Sequence, residues 1–295
     1  MAWMYVRKRF RLFVDDLTLT ANQLEDGAGK FQRIAAIIQA AYHEGVRQNF
    51  DALMVGSWGK KTQIRPPRDL DMFAVLPWEV KARFDARSGN VQSQLLQEVK
   101  SVLTDEYGQT DIRGDGQVVS VGFNNITVEI VPVFLHGNGQ YTMPDTNGGG
   151  SWKLVDPAAQ IDTIDGWDAL LNGNIRALSR MIKLWKHEQN VPIKSFIIEL
   201  LVAEFLPSRA NNNHDAFWYD FYCRDFFGFL VSKANQYLLI PGTAELYPLG
   251  SDWLAKAQAA HQHAIDACSH EIDDLQFLAG EEWRNIFGSR VPLTW

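Results

Sequence analysis

The pattern of apolar and polar positions divides the chain into a mixed first part and a helical second part. Apolar residues recur at helical spacing over about 30–50 and 91–107, which predicts two amphipathic helices. Short runs of apolar residues bounded by turn residues predict strands at 52–55 and 69–76. We therefore expect helices and strands to share one α+β region before about residue 160.

A β-hairpin is predicted next. Two runs rich in β-branched residues, 118–123 and 126–134, flank the turn dipeptide Asn124-Asn125. The following segment, 137–150, is rich in Gly, Asn and Thr and predicts a loop. Its three closing glycines lack the following lysine and Ser or Thr of a P-loop, so they indicate flexible backbone rather than a phosphate cradle.

Helical spacing dominates the second part of the chain. It predicts helices over 175–186 and 193–205, and Pro192 is expected in the first turn of the second helix. Aromatic-rich segments follow at 217–230, 253–272 and 281–287. The change of pattern places a domain boundary near residue 160.

Composition and charge narrow the class of protein. A net charge of −7 argues against nonspecific binding of long nucleic acid, because such binding needs a basic face. With only Cys223 and Cys268, a disulfide framework is not expected, and a cytoplasmic location fits. No apolar segment follows the basic N-terminal residues, and no run approaches the ~18 residues of a membrane span, so we expect neither a signal peptide nor membrane contact.

Two acidic residues carry the strongest chemical signal. Asp69 and Asp71 are spaced i, i+2, so both carboxylates project from one face if this segment is a strand. Paired hard oxygen ligands suit Mg²⁺, which binds through a few carboxylates and substrate phosphates. The preceding Gly56-Ser57 turn offers backbone N–H groups and a hydroxyl to such phosphates. This arrangement predicts metal-assisted phosphoryl or nucleotidyl transfer.

Glu129 extends this predicted site. It lies in the second hairpin strand between Val128 and Ile130, where the sequence otherwise indicates burial. A carboxylate in such a strand is costly unless it is paired or bound to a metal. Glu129 is therefore the candidate third carboxylate beside Asp69 and Asp71.

A basic cluster accompanies the motif although the chain is acidic overall. It could serve small anionic ligands or could be an ordinary solvated loop, and its members are Lys60, Lys61, Arg65 and Arg68.

A zinc site near the C-terminus is not expected. His261 and His263 are two residues apart, so on a helix they lie on different faces. Cys268 and His270 do not supply the Cys-x₂-Cys or His-x₃-His spacing of structural zinc sites.

The motifs together resemble the DNA-polymerase-β-like nucleotidyltransferase superfamily, with Gly-Ser, then Asp-x-Asp in a strand, then a lone acid in a later strand. Within it the chain is most similar to the branch of cyclic GMP–AMP synthase, oligoadenylate synthase and the bacterial cyclic-oligonucleotide synthases (CD-NTases) of anti-phage (CBASS) systems. The segments that carry this likeness are 56–71, 128–134, 181–186, 193–201 and 283–288.

This resemblance implies a fold and a site. The fold is α+β, a polymerase-β-like core with a twisted mixed sheet over residues 1–160, including a long N-terminal helix, and an α-helical lobe over 161–295. The active site lies in the cleft between them. Two Mg²⁺ ions, or Mn²⁺, would be held by Asp69, Asp71 and Glu129. The implied nucleotide-binding residues are Gly56, Ser57, Lys183, Ser195 and Phe196.

Three positions depart from the family pattern or need it for their assignment. Phe196 stands where that branch often has a tyrosine, so the stacking face is kept and the hydroxyl is lost. Without the resemblance, Lys183 would be assigned to a solvated helix face, Ser195 to a helix surface and Phe196 to the core.

The implied function is synthesis of a cyclic di- or trinucleotide second messenger from ATP, alone or with other NTPs, with release of pyrophosphate. The resemblance also implies a regulatory protein partner, an effector that senses the product, and a monomeric enzyme. Two alternatives stay open, a linear nucleotidyltransferase that modifies an RNA or a protein and a catalytically silent nucleotide-binding protein. Transfer of labelled nucleotide to a macromolecule would favour the first, and unaltered behaviour of an Asp69→Asn/Asp71→Asn variant in the cell would favour the second.

Overall fold

The computed structural model describes residues 3–43, 51–108 and 111–294. The helices are α1 (Trp3–Leu17), α2 (Ala21–Tyr42), α3 (Gly56–Gly59), α4 (Trp78–Asp85), α5 (Val91–Tyr107), α6 (Pro157–Leu170), α7 (Asn174–Glu188), α8 (Ser195–Ser208), α9 (Tyr219–Ser232), α10 (Leu254–Ile272) and α11 (Gln276–Phe287). The strands are β1 (Ala52–Met54), β2 (Asp69–Val75), β3 (Asp111–Asp115), β4 (Val118–Gly122), β5 (Thr127–Leu135), β6 (Tyr141–Asp145), β7 (Ser151–Val155), β8 (Tyr237–Leu239) and β9 (Leu246–Pro248).

A mixed sheet organises the first part of the chain. In the part of the chain that the structure describes, its strands run in the order β1-β2-β5-β4-β3, and β6 joins β5 to β7. β2 and β5 are parallel neighbours, whereas β1 pairs with β2, and β4 with β5, in antiparallel fashion. The predicted hairpin is confirmed as β4 and β5, and the α+β fold class is confirmed with it.

The helix expected over 30–50 begins earlier than the apolar spacing indicated. α2 starts at Ala21, because Thr20 and Gln23 form a capping box that satisfies the first N–H groups. The helix ends at Tyr42, and residues 44–50 lie outside the described residues. A polar capping pair sets the start of this helix, and the spacing of apolar residues does not reveal such a pair.

Two short segments also differ from the prediction. The expected Gly-Ser turn is a single helical turn, α3, entered directly from β1. The segment 137–150, expected to be a loop, contains β6, which pairs with β7 from Tyr141 to Asp145. Pairing with a neighbouring strand overrides the weak strand preference of its Gly- and Asn-rich surroundings.

The helical part largely follows the predicted spacing. α7 spans the segment expected as a helix, but α8 begins at Ser195 and Pro192 lies ahead of it, so the expectation that Pro192 occupies the first turn is wrong. The backbone N–H of Ile193 instead bonds to Val191 O at 2.8 Å, which forms a tight turn before the helix.

Separate hydrophobic clusters form the core of each part. One packs α2 and α5 against the sheet, with Leu70, Val128 and Ile130 at its centre. The other joins α7 to α11 and also includes α1, through Val6, Phe10, Phe13 and Leu17. The division of the chain near residue 160 stays a prediction, and the packing of α1 with the helical part was not foreseen.

Candidate active site

The three predicted carboxylates are placed by two parallel strands. In the register of β2 and β5, Asp71 lies opposite Glu129, and Asp69 lies opposite Thr127. Because alternate residues of a strand share a face, all three acidic side chains project from the same side of the sheet. The buried neighbours Leu70, at 0% exposure, and Val128 point the other way, into the core.

Gly56 brings the backbone of α3 against this acidic face. A Cβ at Gly56 would lie 1.9 Å from Oδ2 of Asp71, and its φ of +56° is in the left-handed region. Val55 N–H donates to Asp71 O at 2.9 Å, and the Trp58 indole donates to Asp69 O at 2.9 Å. The Gly-Ser turn and the Asp-x-Asp strand are therefore one bonded unit.

Burial and mutual repulsion oppose ionisation of the acidic face. Loss of hydration raises the pKa of Asp71 above its usual range, and the nearby charge of Asp69 raises it further. Loss of hydration also raises the pKa of Asp69, against the opposing charge of Arg68. Crowded carboxylates that resist ionisation are stabilised by a bound cation, since the cation compensates their charge.

All eight predicted site residues line one cavity of about 450 Å³ between the sheet and the helices. These residues are Gly56, Ser57, Asp69, Asp71, Glu129, Lys183, Ser195 and Phe196. Positions that lie as far apart as 56 and 196 in the sequence thus meet in a volume that suits a small-molecule ligand.

The helical lobe supplies the far wall of the cavity. Ser195 and Phe196 occupy the first turn of α8 and are half-buried. The Phe196 ring packs edge-to-face against Tyr247, with ring centroids 5.7 Å apart. Lys183, on α7, is 5% exposed, and its ammonium donates to Thr62 O at 2.9 Å.

Sequence reasoning missed Glu199, which is a central member of this wall. Its Oε1 lies 2.8 Å from Nζ of Lys183, and its Oε2 lies 2.6 Å from Nζ of Lys60. Thr62 donates its hydroxyl to the same carboxylate. Burial alone would raise the pKa of Glu199, but Lys183 and Lys60 outweigh burial and lower it to about 2. One available signal was an acidic residue within the apolar segment 196–203.

The segment 60–68, which links α3 to β2, is held by basic side chains of α7. Arg176 donates to Lys60 O at 3.0 Å, and Arg180 donates to Lys61 O at 2.7 Å and to Gln63 O at 3.2 Å. Arg176, Arg180 and Lys183 are spaced i, i+4, i+7, so they share one helix face. The bonds from this face hold segment 60–68 in place. That segment links the Gly-Ser turn of α3 to the Asp-x-Asp strand β2.

The basic cluster predicted beside the motif is divided among different partners, although Lys60, Arg65 and Arg68 all line the cavity. Lys60 is buried against Glu199, at 2% exposure, and Arg65 pairs with Asp16 at 2.7 Å. Arg68 contacts Nδ1 of His187 at 3.2 Å across the cleft. Loss of hydration lowers the pKa of His187 to about 4, with further lowering by Arg68, so this imidazole is neutral at pH 7.

The residues present fit a divalent cation that is completed by a substrate. Asp69, Asp71 and Glu129 supply hard oxygen donors on one face, as Mg²⁺ requires. Within residues 3–43, 51–108 and 111–294, no three His, Cys, Asp or Glu side chains converge closely enough to hold a metal by themselves. Such an open arrangement is what Mg²⁺ uses when phosphates and water complete its shell.

Comparison with known proteins decides the family. Residues 4–166, more than half of the chain and including the Gly-Ser turn and all three acids, match the model of the Second Messenger Oligonucleotide or Dinucleotide Synthetase domain. The chain belongs to this family. It is therefore a nucleotidyltransferase that makes oligonucleotide or dinucleotide second messengers, of the cyclic GMP–AMP synthase-like type.

One curated relative covers nearly the whole chain, and a second covers about half of it. A cyclic AMP-AMP-AMP synthase from Acinetobacter sp. (strain ATCC 27244 / 9458) is 22% identical, over 98% of this chain and 86% of that protein. A probable cyclic nucleotide synthase from Bacillus cereus (strain VD146) is 24% identical, over 52% of this chain and 55% of that protein.

Solved structures share the fold. CdnC of E. coli MS115-1, in a complex with HORMA-deltaN, matches with a TM-score of 0.70 at 19% identity, over 96% of each chain. Vibrio cholerae DncV, a cyclic AMP-GMP synthase in complex with a linear intermediate, matches with a TM-score of 0.70 at 14% identity, over 94% of this chain and 93% of that one. These likenesses confirm the expected polymerase-β-like architecture with its cleft between two lobes.

None of the described helices is both long and apolar enough to cross a membrane.

Proposed function

We propose that this protein joins ATP, alone or with a second nucleoside triphosphate, into a small cyclic oligonucleotide and releases pyrophosphate. The observation that carries this proposal is the convergence of acids, Gly-Ser turn and helical-lobe residues on one cavity of about 450 Å³. A relative named for synthesis of cyclic AMP-AMP-AMP, matched over 98% of this chain, supports ATP as substrate and a cyclic product.

Asp69, Asp71 and Glu129 would hold two Mg²⁺ ions, for which Mn²⁺ could substitute. When bound, the ions would supply Lewis-acid stabilisation of the phosphate charge and a lower pKa for the attacking hydroxyl. The protein itself contributes the placement of the carboxylates and of α3. The register of Asp71 with Glu129 holds two of the carboxylates side by side, and the Val55 N–H bond to Asp71 O holds α3 beside them.

The remaining site residues would bind the nucleotide. Gly56 and Ser57 line the cavity beside the acids, where backbone and hydroxyl donors suit a triphosphate. Phe196 offers a ring face to a base, since stacking tolerates every base. Lys183 is already engaged by Thr62 O and Glu199, so it reaches a phosphate only by exchanging one of these partners.

The biological setting is proposed from the same family. The protein would act in the cytoplasm in anti-phage (CBASS) signalling, and an effector would sense its product. It would be a monomer that a regulatory protein partner can control, and the solved complex of CdnC with HORMA-deltaN supports such a partner for a similar fold. Its acidic net charge of −7 argues against a long nucleic acid as a partner.

The test is product analysis with purified protein. We expect incubation with Mg²⁺ and all four nucleoside triphosphates to give a phosphatase-resistant oligonucleotide, and mass spectrometry would identify its bases and ring size. EDTA should abolish the product, and Asp69→Asn/Asp71→Asn should form none while retaining its melting temperature. The matched control is Asp105→Asn/Glu106→Gln, a pair of exposed acids on α5.

Two outcomes would overturn the proposal. One is transfer of α-labelled nucleotide to an RNA or a protein in place of a small cyclic product. The other is the absence of any product with Mg²⁺ or Mn²⁺, in a reaction that also contains the regulatory partner.

A further inference from the structure

Glu199 engages two lysines that reach it from opposite sides of the cleft. Lys60 follows α3, beside the acidic face, and Lys183 lies on α7 of the helical lobe. Their ammonium nitrogens lie 2.6 and 2.8 Å from the two different oxygens of the Glu199 carboxylate. Exposures of 2%, 5% and 1% for Lys60, Lys183 and Glu199 show that this triad is shielded from water.

Asp71 is the competing anion for both lysines. Asp71, Lys60, Lys183 and Glu199 all line the same cavity of about 450 Å³, so the two ammonium groups and the Asp71 carboxylate share one small volume. Within the described residues, both lysines nevertheless form their ion pairs with Glu199 and not with Asp71. A further bond from Lys183 to Thr62 O, at 2.9 Å, gives that ammonium a second partner other than Asp71.

We propose that Glu199 is a positioning residue that holds Lys60 and Lys183 away from Asp71, so that the Asp71 carboxylate stays available to a divalent cation. This inference rests on the proposed function for its assignment of Asp71 to the cation. It goes further because it gives a role to Glu199, whose carboxylate is not among the proposed ligands of the cation.

The charge balance predicts the direction in which the affinity for a divalent cation should change. Two lysines and one glutamate leave a net charge of +1 beside Asp71, and removal of the glutamate charge makes it +2. A larger positive charge repels a divalent cation and frees both ammonium groups to pair with Asp71. The same change does not weaken the binding of an anionic triphosphate. A purely structural role for Glu199 would weaken both ligands alike.

The experiment compares Glu199→Gln with the wild-type chain in two binding measurements that require no turnover. Mn²⁺ binding is followed by electron paramagnetic resonance, and binding of a non-hydrolysable ATP analogue without metal is followed by calorimetry. We expect Mn²⁺ affinity to fall on the order of tenfold and analogue affinity to hold or rise. The matched control is Glu204→Gln, because Glu204 is on the same helix but pairs with Lys233 at the surface.

A second variant keeps the test decisive if Glu199→Gln folds poorly. Lys60→Met retains the Lys183–Glu199 pair and lowers the net charge beside Asp71 from +1 to 0. Mn²⁺ should therefore bind this variant more tightly than wild type. In the double variant Glu199→Gln/Lys60→Met the net charge returns to +1, and Mn²⁺ affinity should recover from the loss caused by Glu199→Gln alone.

The outcomes separate this inference from the proposed function. Unchanged Mn²⁺ affinity in Glu199→Gln, equal losses for Mn²⁺ and the analogue, or weaker Mn²⁺ binding by Lys60→Met would overturn it. A Glu199-dependent Mn²⁺ site in a protein that forms no cyclic product would support it and overturn only the proposed function. A wild-type chain that binds no Mn²⁺ would overturn both.

Discussion

Asp71 rests its carboxylate against the Cα of Gly56, so closely that a Cβ there would come within 1.9 Å of Oδ2. The contact joins the two motifs that sequence analysis treated as separate parts of one site. It also explains why the position needs glycine, since its φ of +56° disfavours any other residue.

Gly56→Ala should therefore impair activity strongly. The added methyl must displace either α3 or the Asp71 carboxylate, and a misplacement of about 1 Å at a catalytic group costs on the order of a hundredfold in rate. Left-handed backbone adds about 1 kcal/mol of destabilisation. Steady-state product formation and thermal unfolding would measure the two effects.

Gly29→Ala is the matched control for that substitution. A Cβ at Gly29 on α2 meets no atom within 4 Å, and the residue is exposed. Alanine in a helix interior should stabilise the protein by about 0.5–1 kcal/mol with activity unchanged. Equal activity of the Gly56→Ala and Gly29→Ala variants would contradict the role given to the close contact.

Activity should be lost in acid at a higher pH than the ordinary pKa of an aspartate would predict. We call this part of the pH profile the acid limb. Loss of hydration raises the pKa of both Asp71 and Asp69. Cation binding needs the ionised forms, so activity is present above these raised pKa values and is lost as pH falls through them. Initial rates at limiting Mg²⁺ across the acidic range would locate this limb, because a saturating cation would itself lower both pKa values.

Thermal unfolding over the same pH range is the control for this prediction. A raised pKa favours the folded state as pH falls, so these two carboxyls do not destabilise the fold in acid. Glu199, whose pKa is lowered from 4.5 to about 2, contributes stability that is complete above its ordinary pKa and is lost progressively as pH falls toward 2. Loss of activity that simply tracks unfolding would argue against titration of the acidic face.

Arg180→Met should loosen the segment 60–68. Two hydrogen bonds, to Lys61 O at 2.7 Å and to Gln63 O at 3.2 Å, would be lost, and the second loss leaves a partly buried carbonyl without this donor. The expected cost is about 1–3 kcal/mol of unfolding free energy. Because this segment links α3 to the strand of Asp69 and Asp71, the KM for ATP should rise as well.

Arg113→Met provides the comparison for Arg180→Met. Its side chain is 77% exposed and pairs with Asp111 on the surface. Such exposed pairs contribute about 0–1 kcal/mol, so stability and KM should stay near wild type. If both variants behaved alike, the hydrogen bonds from α7 would have no special part in shaping the site.

Phe196→Ala should weaken nucleotide binding more than it lowers kcat. Stacking of a base on an aromatic ring contributes about 1–3 kcal/mol, which predicts a rise in KM on the order of tenfold or more. Phe196→Tyr retains the ring and should retain the affinity.

Phe277→Ala is the appropriate control for ring loss, because Phe277 is 52% exposed on α11 and does not line the cavity. Its KM for ATP should equal that of the wild type. An unaltered KM in Phe196→Ala would show that the ring does not contact the base.

Strand and helix periodicity predicted much of the fold because burial leaves a direct mark on the sequence. Leu70, Val128 and Ile130 are completely buried, as their place in apolar runs indicated. The start of α2 was missed, because the Thr20 capping box is a polar signal ahead of the apolar pattern. β6 was missed because its pairing with β7 involves a segment with weak local strand preference.

The sequence alone indicated the residues to which we assign the chemistry, since Gly56, Asp69 and Asp71 lie in one short segment and Glu129 is an acid in an apolar strand. Only the tertiary structure placed Asp71 opposite Glu129, because register between strands depends on hydrogen bonding between distant segments. It also decided that Lys60 and Lys183 pair with Glu199. Such a buried charge network arises where two lobes meet, so no local pattern in the sequence specifies it.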